Sequence, residues 1–555
     1  MNVTESLQQE ITQASKDYLQ DPQVPVLPLS GYQNYLSKGE RLPFENSYFE
    51  RRRQLIVLAL DFFLHEKEAT KTQLEQVIWE VCNEYTWALP AHLPIENKLF
   101  TQESVHCIDL FAAETGQALS EILEIIGKQL SPLIQQRVYA EINQRIFVPL
   151  ENKGWGWETN ENNWSAVIAG SIGMTALSLL PKEDSRQLQI IKRLDKSFQS
   201  YLRGFGEDGA CVEGVAYWAY GFGYYIYYAQ KLAETLGDTT YLDIPKVKKI
   251  AAFPYHAMTI EDNFLPFSDY QTSELPSGLL SFIADKFEVP VPAVKKANSL
   301  EFDHCYRFAH VYRNLIWTRE VTTPKNDVSY YFEDAQWAIL RSEEKEVVFA
   351  AKGGRNDESH NHIDLGHFIF GDKNHLYLTD LGSGEYTRDY FNDNLRYNYL
   401  VTNAKGHSIP VINGKLQESG DVCAKKASFT SSVDGEIFQL DLSDVYPDSS
   451  NLQSFNRELL VNKEKRELTL SDHFTFDQSD NEVIETFVTS DLVTIEENQA
   501  IIGENESCKM QFETTNLSVE EVSYSGHDGN TYFAHLIYAT YKLAEKNTVK
   551  LTIQL

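Results

Sequence analysis

Residues 1 to about 322 carry apolar side chains three and four positions apart, the spacing that places them on one face of an α-helix. The stretches that show it best are "FERRRQLIVLALDFFLHE", "TKTQLEQVIWEVCNEY" and "NWSAVIAGSIGMTALSLL". Short breaks of Gly, Pro, Asn and Asp separate helical stretches of similar length. A series of paired helices is typical of a helical toroid or solenoid, although no repeated sequence is visible.

Apolar and polar residues alternate after about residue 323, as in "VSYYFEDAQWAILRS", "GHFIFGDKNHLYLTDLG" and "RELLVNKEKRELTLSDHFTF". Alternation is typical of strands with one buried face, and "GDKN" and "VNKEKRE" have the composition of hairpin loops. This half should be an antiparallel β-sandwich. The change falls within "TREVTTPKNDVS", so we expect a helical domain over residues 1–322 and a β-sandwich domain over residues 323–555.

The composition limits what the chain can bind. Its 555 residues are 42% hydrophobic and 12% aromatic, which excludes a largely disordered protein and predicts two or three domains. A net charge of −31 disfavours nucleic acid and anionic lipid as partners. An anionic small molecule would need local Arg, Lys, His or metal to offset this charge.

Neither targeting nor membrane-spanning features are visible in the sequence. The N-terminus "MNVTESLQQEITQASKDYLQ" is polar and lacks the apolar core of a signal peptide. The apolar run "LIVLALDFFL" is about ten residues long, against the roughly 20 that a membrane span needs. The six Cys are scattered and form no CxxC pair. We expect a cytoplasmic protein with reduced thiols and no membrane partner.

A local excess of histidine marks "GGRNDESHNHIDLGHF", residues 353–368, which contains His360, His362 and His367. In an extended segment, alternate side chains such as His360 and His362 share a face. Asp380 and His407 follow in strand-like surroundings, in "YLTDLG" and "NAKGHSIPVINGKLQ". Strand ends could bring these donors around one Zn²⁺. The spacing by itself equally fits a polar turn with hydrogen-bonded histidines.

Several ordered motifs resemble the heparinase II/III family of polysaccharide lyases. They are "LPFENSYFERRRQLIVLAL", "NNWSAVIAGSIGMTAL", "EDGACVEGVAYWAYGFGYY", the histidine segment, "TDLG" and "GHSIPVINGKLQ", which span about residues 25–420. The resemblance implies an (α/α) toroid followed by an antiparallel β-sandwich, with an active site in the cleft between them. It also implies Zn²⁺ bound by His362, Asp380 and His407.

A lyase of this kind cleaves 4-linked uronides by β-elimination, which needs a group that neutralises the uronate carboxylate, a base for the C5 proton and an acid for the leaving O4. The family pattern makes Tyr217 the acid, and also a base if neighbouring cations or Zn²⁺ lower its pKa. It makes Asn163 the neutraliser and His360 a catalytic group. Alternatives remain open: Asn163 could cap a helix, and His360 could be structural.

Further residues are expected around the substrate. Some family members carry His after the Asn at position 163, whereas Trp164 stands here, either in the core or as a platform for a sugar ring. Glu213 is expected to orient the tyrosine or a helix end. Contacts to acidic sugars are predicted for the following residues, although a solvated surface explains any one arginine equally well: Arg355, Tyr386, Tyr390 and Arg396.

The expected partner is an acidic oligosaccharide, with homo-oligomer formation left open. Exolytic action on glycosaminoglycan-type fragments fits a cytoplasmic lyase best, and oligoalginate is the runner-up. The absence of a visible Lys and Arg cluster favours unsulfated uronides such as hyaluronan or chondroitin fragments. Two other classes stay open, a toroid glycoside hydrolase using carboxylates among Asp208, Glu213 and Asp269, and a non-catalytic sugar-binding protein.

Replacement of Tyr217 by Phe tests its assignment as the acid. Tyr217→Phe removes the only proton that the side chain can transfer, so we expect formation of unsaturated product, followed as ultraviolet absorbance, to be abolished. Circular dichroism should show an unchanged fold, because the ring is retained. Normal turnover by the variant would exclude Tyr217 as the acid.

Overall fold

The computed structural model describes residues 2–182, 184–259, 263–270, 274–324, 327–392, 394–504 and 508–555. The chain divides into two compact units. The first comprises residues 1–205, 216–251 and 273–323, and the second comprises residues 206–215, 252–272 and 324–555. Two segments that the sequence boundary placed in the helical half, 206–215 and 252–272, therefore belong to the second unit.

The helical half contains thirteen α-helices within the described residues, as the 3.6-residue periodicity predicted. A two-stranded ribbon, β1 (Ile95–Glu96) and β2 (Leu99–Phe100), lies among them. The helices are α1 Glu5–Gln20, α2 Leu29–Lys38, α3 Leu42–His65, α4 Glu68–Cys82, α5 Leu110–Ile126, α6 Pro132–Ile142, α7 Val148–Asn152, α8 Asn163–Leu179, α9 Ser185–Arg203, α10 Val215–Leu236, α11 Pro245–Ala257, α12 Ser277–Phe287 and α13 Phe308–Trp317.

Two kinds of helix build the predicted (α/α) toroid. Helices α5 and α8 are buried on almost every face, as expected of a helix surrounded by other helices. Helix α9 is amphipathic, with its buried side chains on one stripe and charged residues opposite. Helix α8 packs against α5 and α9. Glycines let α10 approach α8 closely, because a Cβ at Gly170 would lie 2.7 Å from the carbonyl oxygen of Tyr224.

The β half is a sandwich of antiparallel sheets, as the alternating pattern predicted. Its strands are β3 Val328–Phe332, β4 Trp337–Ser342, β5 Val347–Lys352, β6 Arg355–Asn356, β7 Phe368–Gly371, β8 Leu376–Leu378, β9 Val411–Ile412, β10 Gly420–Cys423, β11 Lys425–Ser431, β12 Glu436–Asp441, β13 Leu452–Asn462, β14 Glu467–Phe476, β15 Asn481–Thr489, β16 Val493–Glu496, β17 Gln499–Ile502, β18 Cys508–Phe512, β19 Leu517–Ser525, β20 Thr531–Leu543 and β21 Lys546–Gln554.

Three sheets enclose the core. Their strand orders are β3-β4-β5-β7-β8, β19-β20-β15-β9 and β11-β12-β13-β14-β21-β18-β17-β16. One apolar cluster collects side chains from all three, including Phe349, Phe455 and Phe487. The predicted hairpin loops are confirmed, since Gly371 pairs with Leu376 and Asn462 pairs with Glu467. Strands β4 and β5 are buried on both faces, whereas β13 alternates.

A buried arginine joins two of these sheets. Arg457 on β13 donates to Asp472 on β14, with Nη2 at 2.6 Å from Oδ2, and to Glu485 on β15 at 2.9 Å. Its Nη1 donates to the carbonyl oxygens of Gly366 at 3.0 Å and Ser408 at 2.8 Å. Burial, then the charge of Asp472, raises the pKa of Glu485 well above its ordinary value. One guanidinium therefore holds three strands and two loop segments together.

Replacement of Arg457 by Met should lower the free energy of unfolding of the β unit by about 3–5 kcal/mol, because it leaves Asp472 and Glu485 buried without their cation. Arg355→Met is the matched control, since Arg355 also contacts two carboxylates, Asp357 and Asp421, but is exposed. Its effect should stay below about 1 kcal/mol. Denaturant unfolding of both variants measures this, and equal effects would contradict the role of burial.

Candidate metal centre and active site

Loops at the ends of short strands position a buried group of metal-binding side chains in the second unit. His362 lies between β6 and β7, Asp380 lies two residues after β8, and His407 follows a single 3₁₀ turn. Together with Asp364 they place one ligand atom each within 4.8 Å of one another. All four are buried. The structure therefore brings together the three residues that the resemblance implied and adds a fourth.

The distances within this ligand group suit a small tetrahedral ion. Nδ1 of His362 lies 3.3 Å from Nε2 of His407, and the latter lies 3.6 Å from Oδ2 of Asp380. Zinc bound at about 2.0–2.1 Å in tetrahedral geometry separates its ligand atoms by about 3.3–3.4 Å. The first of these two distances matches that separation, and the second is slightly longer.

Hydrogen bonds on the outer sides of the His362 and His407 rings determine which nitrogen of each ring faces the other ring. Nε2 of His362 donates to Asp269 Oδ1 at 3.1 Å, and Nδ1 of His407 donates to the Asn403 carbonyl at 2.9 Å. In neutral rings the facing nitrogens are then both lone-pair acceptors. Burial lowers the pKa of His362 and lowers that of His407 to about 3. Nδ1 of His362 and Nε2 of His407 therefore face each other as lone pairs with no proton between them, an arrangement that suits a bound cation.

The two carboxylates also offer acceptor atoms to an ion. Asp380 Oδ1 accepts from the Gly382 N–H at 2.9 Å, while its buried Oδ2 finds no donor among the described residues. Asp364 Oδ2 accepts from Lys352 Nζ at 2.8 Å, and its buried Oδ1 likewise has no donor in the described part of the chain. Burial, then Asp364, raises the pKa of Asp380 well above its ordinary value. The donor set therefore fits Zn²⁺.

His367 lies beside this group and does not complete it. Its Nδ1 accepts from the Ser408 N–H at 2.9 Å, so a neutral ring carries its proton on Nε2. That nitrogen lies 3.4 Å from Asp380 Oδ2. Neither atom forms a hydrogen bond within the described part of the chain, so this is a close approach and no more. His367 is thus a structural residue beside the ligand group, fixed by its hydrogen bond with the Ser408 backbone.

Asp269 lies between His360 and His362 and contacts both rings. His360 Nδ1 donates to its Oδ2 at 2.7 Å, and His362 Nε2 donates to its Oδ1 at 3.1 Å. Tyr390 Oη donates to Oδ1 at 2.5 Å, and Arg396 Nη2 donates to Oδ2 at 3.0 Å. Burial alone would raise the pKa of Asp269, but His360, His362 and Arg396 hold it well below its ordinary value.

His360 differs from His362 in its exposure. The His360 side chain is 17% exposed, whereas that of His362 is fully buried. His360 adopts a left-handed backbone with φ of 56°, and its ring lies 6.4 Å from Tyr386 and 5.9 Å from Phe391. With Nδ1 bound to Asp269, the neutral ring has its acceptor at Nε2. His360 is thus the imidazole of the pair that a solute can reach.

The four predicted substrate contacts of this unit fall into different environments. Tyr386 packs beside His360, as a sugar-binding ring would. Tyr390 and Arg396 are instead buried and bonded to Asp269, so they support the site from behind its surface. Arg355 is exposed, but its guanidinium is bound to Asp357 and Asp421. Glu213 is buried, two residues before α10.

Asn163 lies in the first unit and does not cap α8. The N-cap is Asn162, whose Oδ1 accepts from the Trp164 N–H at 3.2 Å. The alternative in which Asn163 caps the helix is therefore wrong. Asn163 is 3% exposed, and its buried Oδ1 has no partner among the described residues. An amide buried without a partner for its oxygen is unusual and suits a binding role.

Trp164 and Tyr217 are both partly exposed in the first unit. The Trp164 ring lies 4.9 Å from His92, whose Nδ1 contacts Asp109 Oδ2 at 2.7 Å. Tyr217 lies in the first turn of α10, near Arg41. Burial by itself would lower the pKa of Arg41. The negative charge of Glu45, followed by Tyr35 and Tyr217, raises that pKa instead. The Arg41 guanidinium is itself paired with Glu45, with Nε at 2.6 Å from Oε1.

Later tyrosines of the same helix are core residues. Tyr224 and Tyr228 are fully buried. Sequence reasoning missed Asp364 as a ligand candidate, Lys352 as its partner, and the central place of Asp269. Asp364 carried a usable signal, since it follows His362 by two residues, the same spacing that drew attention to His360. Asp269 carried none, because it is 91 residues away from His360.

Comparison with known proteins identifies the β half. Residues 324–550 match the family described as Heparinase II/III-like, C-terminal. These residues therefore form a heparinase II/III-like C-terminal domain. No curated protein matches the chain in sequence.

Solved structures of the same fold match nearly the whole chain. Heparinase III has a TM-score of 0.64 at 13% identity, with 100% of this chain and 92% of that chain covered. The heparan sulfate lyase HepC from Pedobacter heparinus has a TM-score of 0.61 at 12% identity, covering 100% and 83%. The Streptomyces coelicolor A3 chondroitin AC lyase, in complex with chondroitin sulphate, has a TM-score of 0.55 at 9% identity, covering 99% and 80%. The (α/α) toroid followed by a β-sandwich is thereby confirmed.

Removal of one imidazole tests the ligand group. His362→Ala deletes a nitrogen that faces His407, so the purified protein should contain less zinc, measured by elemental analysis. His473→Ala is the matched control, because His473 is exposed on the same unit and bonds to Thr548. That variant should keep its zinc. Unchanged metal content in His362→Ala would remove this histidine from the ligand group.

Proposed function

We propose that this protein is a polysaccharide lyase that cleaves 4-linked uronic-acid-containing glycans of glycosaminoglycan type by β-elimination. One observation carries the proposal: His360, held by the buried Asp269, lies beside a buried group of zinc-type ligands in a heparinase II/III-like domain. The structures titled heparinase III, heparan sulfate lyase HepC and chondroitin AC lyase support it through their shared fold.

The reaction makes three demands on side chains. A base takes the C5 proton, the electron pair of that C–H bond forms the C4–C5 double bond, and the C4–O4 bond breaks. A proton is delivered to the departing O4, so no water or oxidant is consumed. Negative charge builds up on the uronate carboxylate before the bond breaks, and donors fixed beside it stabilise the transition state.

His360 fits the base or a donor to the carboxylate. Asp269 fixes its Nδ1 as the donor, which leaves Nε2 as the atom that accepts a proton from the substrate. Tyr386 beside the ring offers an aromatic face to a sugar.

Tyr217 and Asn163 supply the remaining roles in the proposal. Tyr217 protonates O4, and it is also a candidate for the base that takes the C5 proton. Asn163 donates its amide N–H to the uronate carboxylate. The freedom of its side chain from helix capping supports that assignment.

Zn²⁺ is the proposed metal, held by His362, Asp380 and His407, with Asp364 as a fourth candidate ligand. A divalent ion there would supply positive charge that counteracts the negative charge of an acidic sugar. Asp269 and Asn403 orient the two imidazoles towards the ion, and the Gly382 N–H orients the carboxylate of Asp380.

Two of the three carboxylates named for the hydrolase alternative, Asp208 and Asp269, are unsuited to act as its general acid. Retaining or inverting hydrolysis needs one carboxylic acid that donates a proton. Asp269 is fully buried, ionised and bound by four donors. The oxygens of Asp208 accept from the backbone N–H groups of Ala210, Asp334 and Ala335. Neither carboxyl group is available as a general acid.

The substrate is proposed to be an unsulfated uronide, such as a hyaluronan or chondroitin fragment, with oligoalginate as the runner-up. The chain carries a net charge of −31. Arg355, the most exposed arginine near His360 in sequence, is neutralised by Asp357 and Asp421. A densely sulfated chain would meet little compensating charge at this loop.

A panel of uronide oligomers, incubated with zinc-loaded protein, tests the activity. Unsulfated substrates should give new ultraviolet absorbance from the C4–C5 double bond, and exolytic action should release short products from the first turnovers. His360→Gln should lower the rate at least about 100-fold, as loss of a general base does, whereas His473→Ala should retain it. Formation of new reducing ends without new ultraviolet absorbance would indicate a hydrolase. Binding of the oligomers without any cleavage would indicate a sugar-binding protein.

A further inference from the structure

The two oxygens of Asp269 are divided between two histidines. Oδ1 accepts from His362 Nε2 and Tyr390 Oη, and Oδ2 accepts from His360 Nδ1 and Arg396 Nη2. The carboxylate thus contacts one ring through Nε2 and the other through Nδ1. Hydrogen bonds of this kind decide which nitrogen of a neutral imidazole keeps the proton.

The backbone holds Asp269 in place for this task. Ser268 adopts a left-handed conformation with φ of 62°, and its Oγ donates to the Val212 carbonyl at 2.8 Å. On the other side, the Ser383 N–H donates to the Tyr270 carbonyl at 2.9 Å. Ser268 keeps this strained backbone conformation because the surrounding hydrogen bonds hold it in place. The carboxylate is therefore fixed from both flanks.

We propose that Asp269 is a positioning residue that fixes His362 and His360 in opposite tautomers. His362 is held as the Nε2–H form, so that Nδ1 faces the ligand group. His360 is held as the Nδ1–H form, so that Nε2 accepts the substrate proton. The second half of this statement rests on the proposed lyase function, whereas the first half concerns metal binding alone. One carboxylate thereby prepares the metal centre and the base together.

An amide in place of the carboxylate would affect the two rings unequally. Asn has one acceptor oxygen and one NH₂ donor. Arg396 has no acceptor atom, so the NH₂ group cannot face it. Tyr390 can rotate its hydroxyl and accept. The NH₂ group therefore takes the Oδ1 side and donates to His362 Nε2, which moves the proton of that ring to Nδ1 and directs N–H at the ligand group.

Asp269→Asn should weaken Zn²⁺ binding about 10- to 100-fold, the usual effect of losing the partner behind a ligating histidine. Competition with a chelator of known affinity measures this, with zinc as the only added ligand. Tyr390→Phe is the matched control, because it removes the other donor to Oδ1 and leaves both imidazole contacts intact. Its zinc affinity should remain within about twofold of the parent.

Three outcomes decide the proposal. Weakening in Asp269→Asn alone supports it. Unchanged affinity in Asp269→Asn overturns it, and so does equal weakening in both variants, because packing would then explain the loss. None of these readouts uses turnover, so a failure of the lyase function would leave the metal result intact.

The parent protein provides a measurement that needs no variant at position 269. Nitrogen-15 shifts of selectively labelled histidines report the tautomer of each ring, with assignments from His360→Gln and His362→Ala. We expect protonated Nε2 in His362 and protonated Nδ1 in His360 in metal-free protein. The same tautomer in both rings would overturn the proposal even if Asp269→Asn does not fold.

Discussion

A carboxylate removed from water must be surrounded by donors, and Asp269 meets that requirement with two imidazoles, a phenol and a guanidinium. Each donor is thereby fixed in position as well. Tyr390 and Arg396 are anchored behind the site, and His360 and His362 are aimed in different directions. The geometry of the candidate site follows from satisfying this one buried charge.

A second buried charge, the guanidinium of Arg457, fixes the position of backbone segments in the β half. Arg457 links β13, β14 and β15 through Asp472 and Glu485, and it also binds the carbonyl oxygens next to His367 and His407. The loops that carry the histidines have little regular structure of their own. Their position therefore depends on the guanidinium beneath them, since buried carbonyl groups require donors.

Burial also sets the charge state of the ligand group. The histidines are held neutral because a charged ring would lose its solvation, which lowers the pKa of His362, His367 and His407. The same cause raises the pKa of Asp380. Neutral imidazoles with lone pairs directed inward are the form that binds a metal. A cation in this group would resolve both the facing lone pairs and the unpartnered carboxylate oxygens.

The sequence by itself determined the class of each half, because helices and sandwich strands differ in the period of their apolar residues. It also located two hairpin loops from their turn residues and, through the family resemblance, named His362, Asp380 and His407. The roles assigned to Tyr217, Asn163 and Zn²⁺ stay predictions. Only the tertiary structure decided that Asn162 caps α8, that Tyr390 and Arg396 are buried, and that Asp364 joins the ligand group. Asp269 shows the physical reason: it meets His360 across 91 residues of chain, and such a contact depends on the path of the backbone, which local periodicity does not encode.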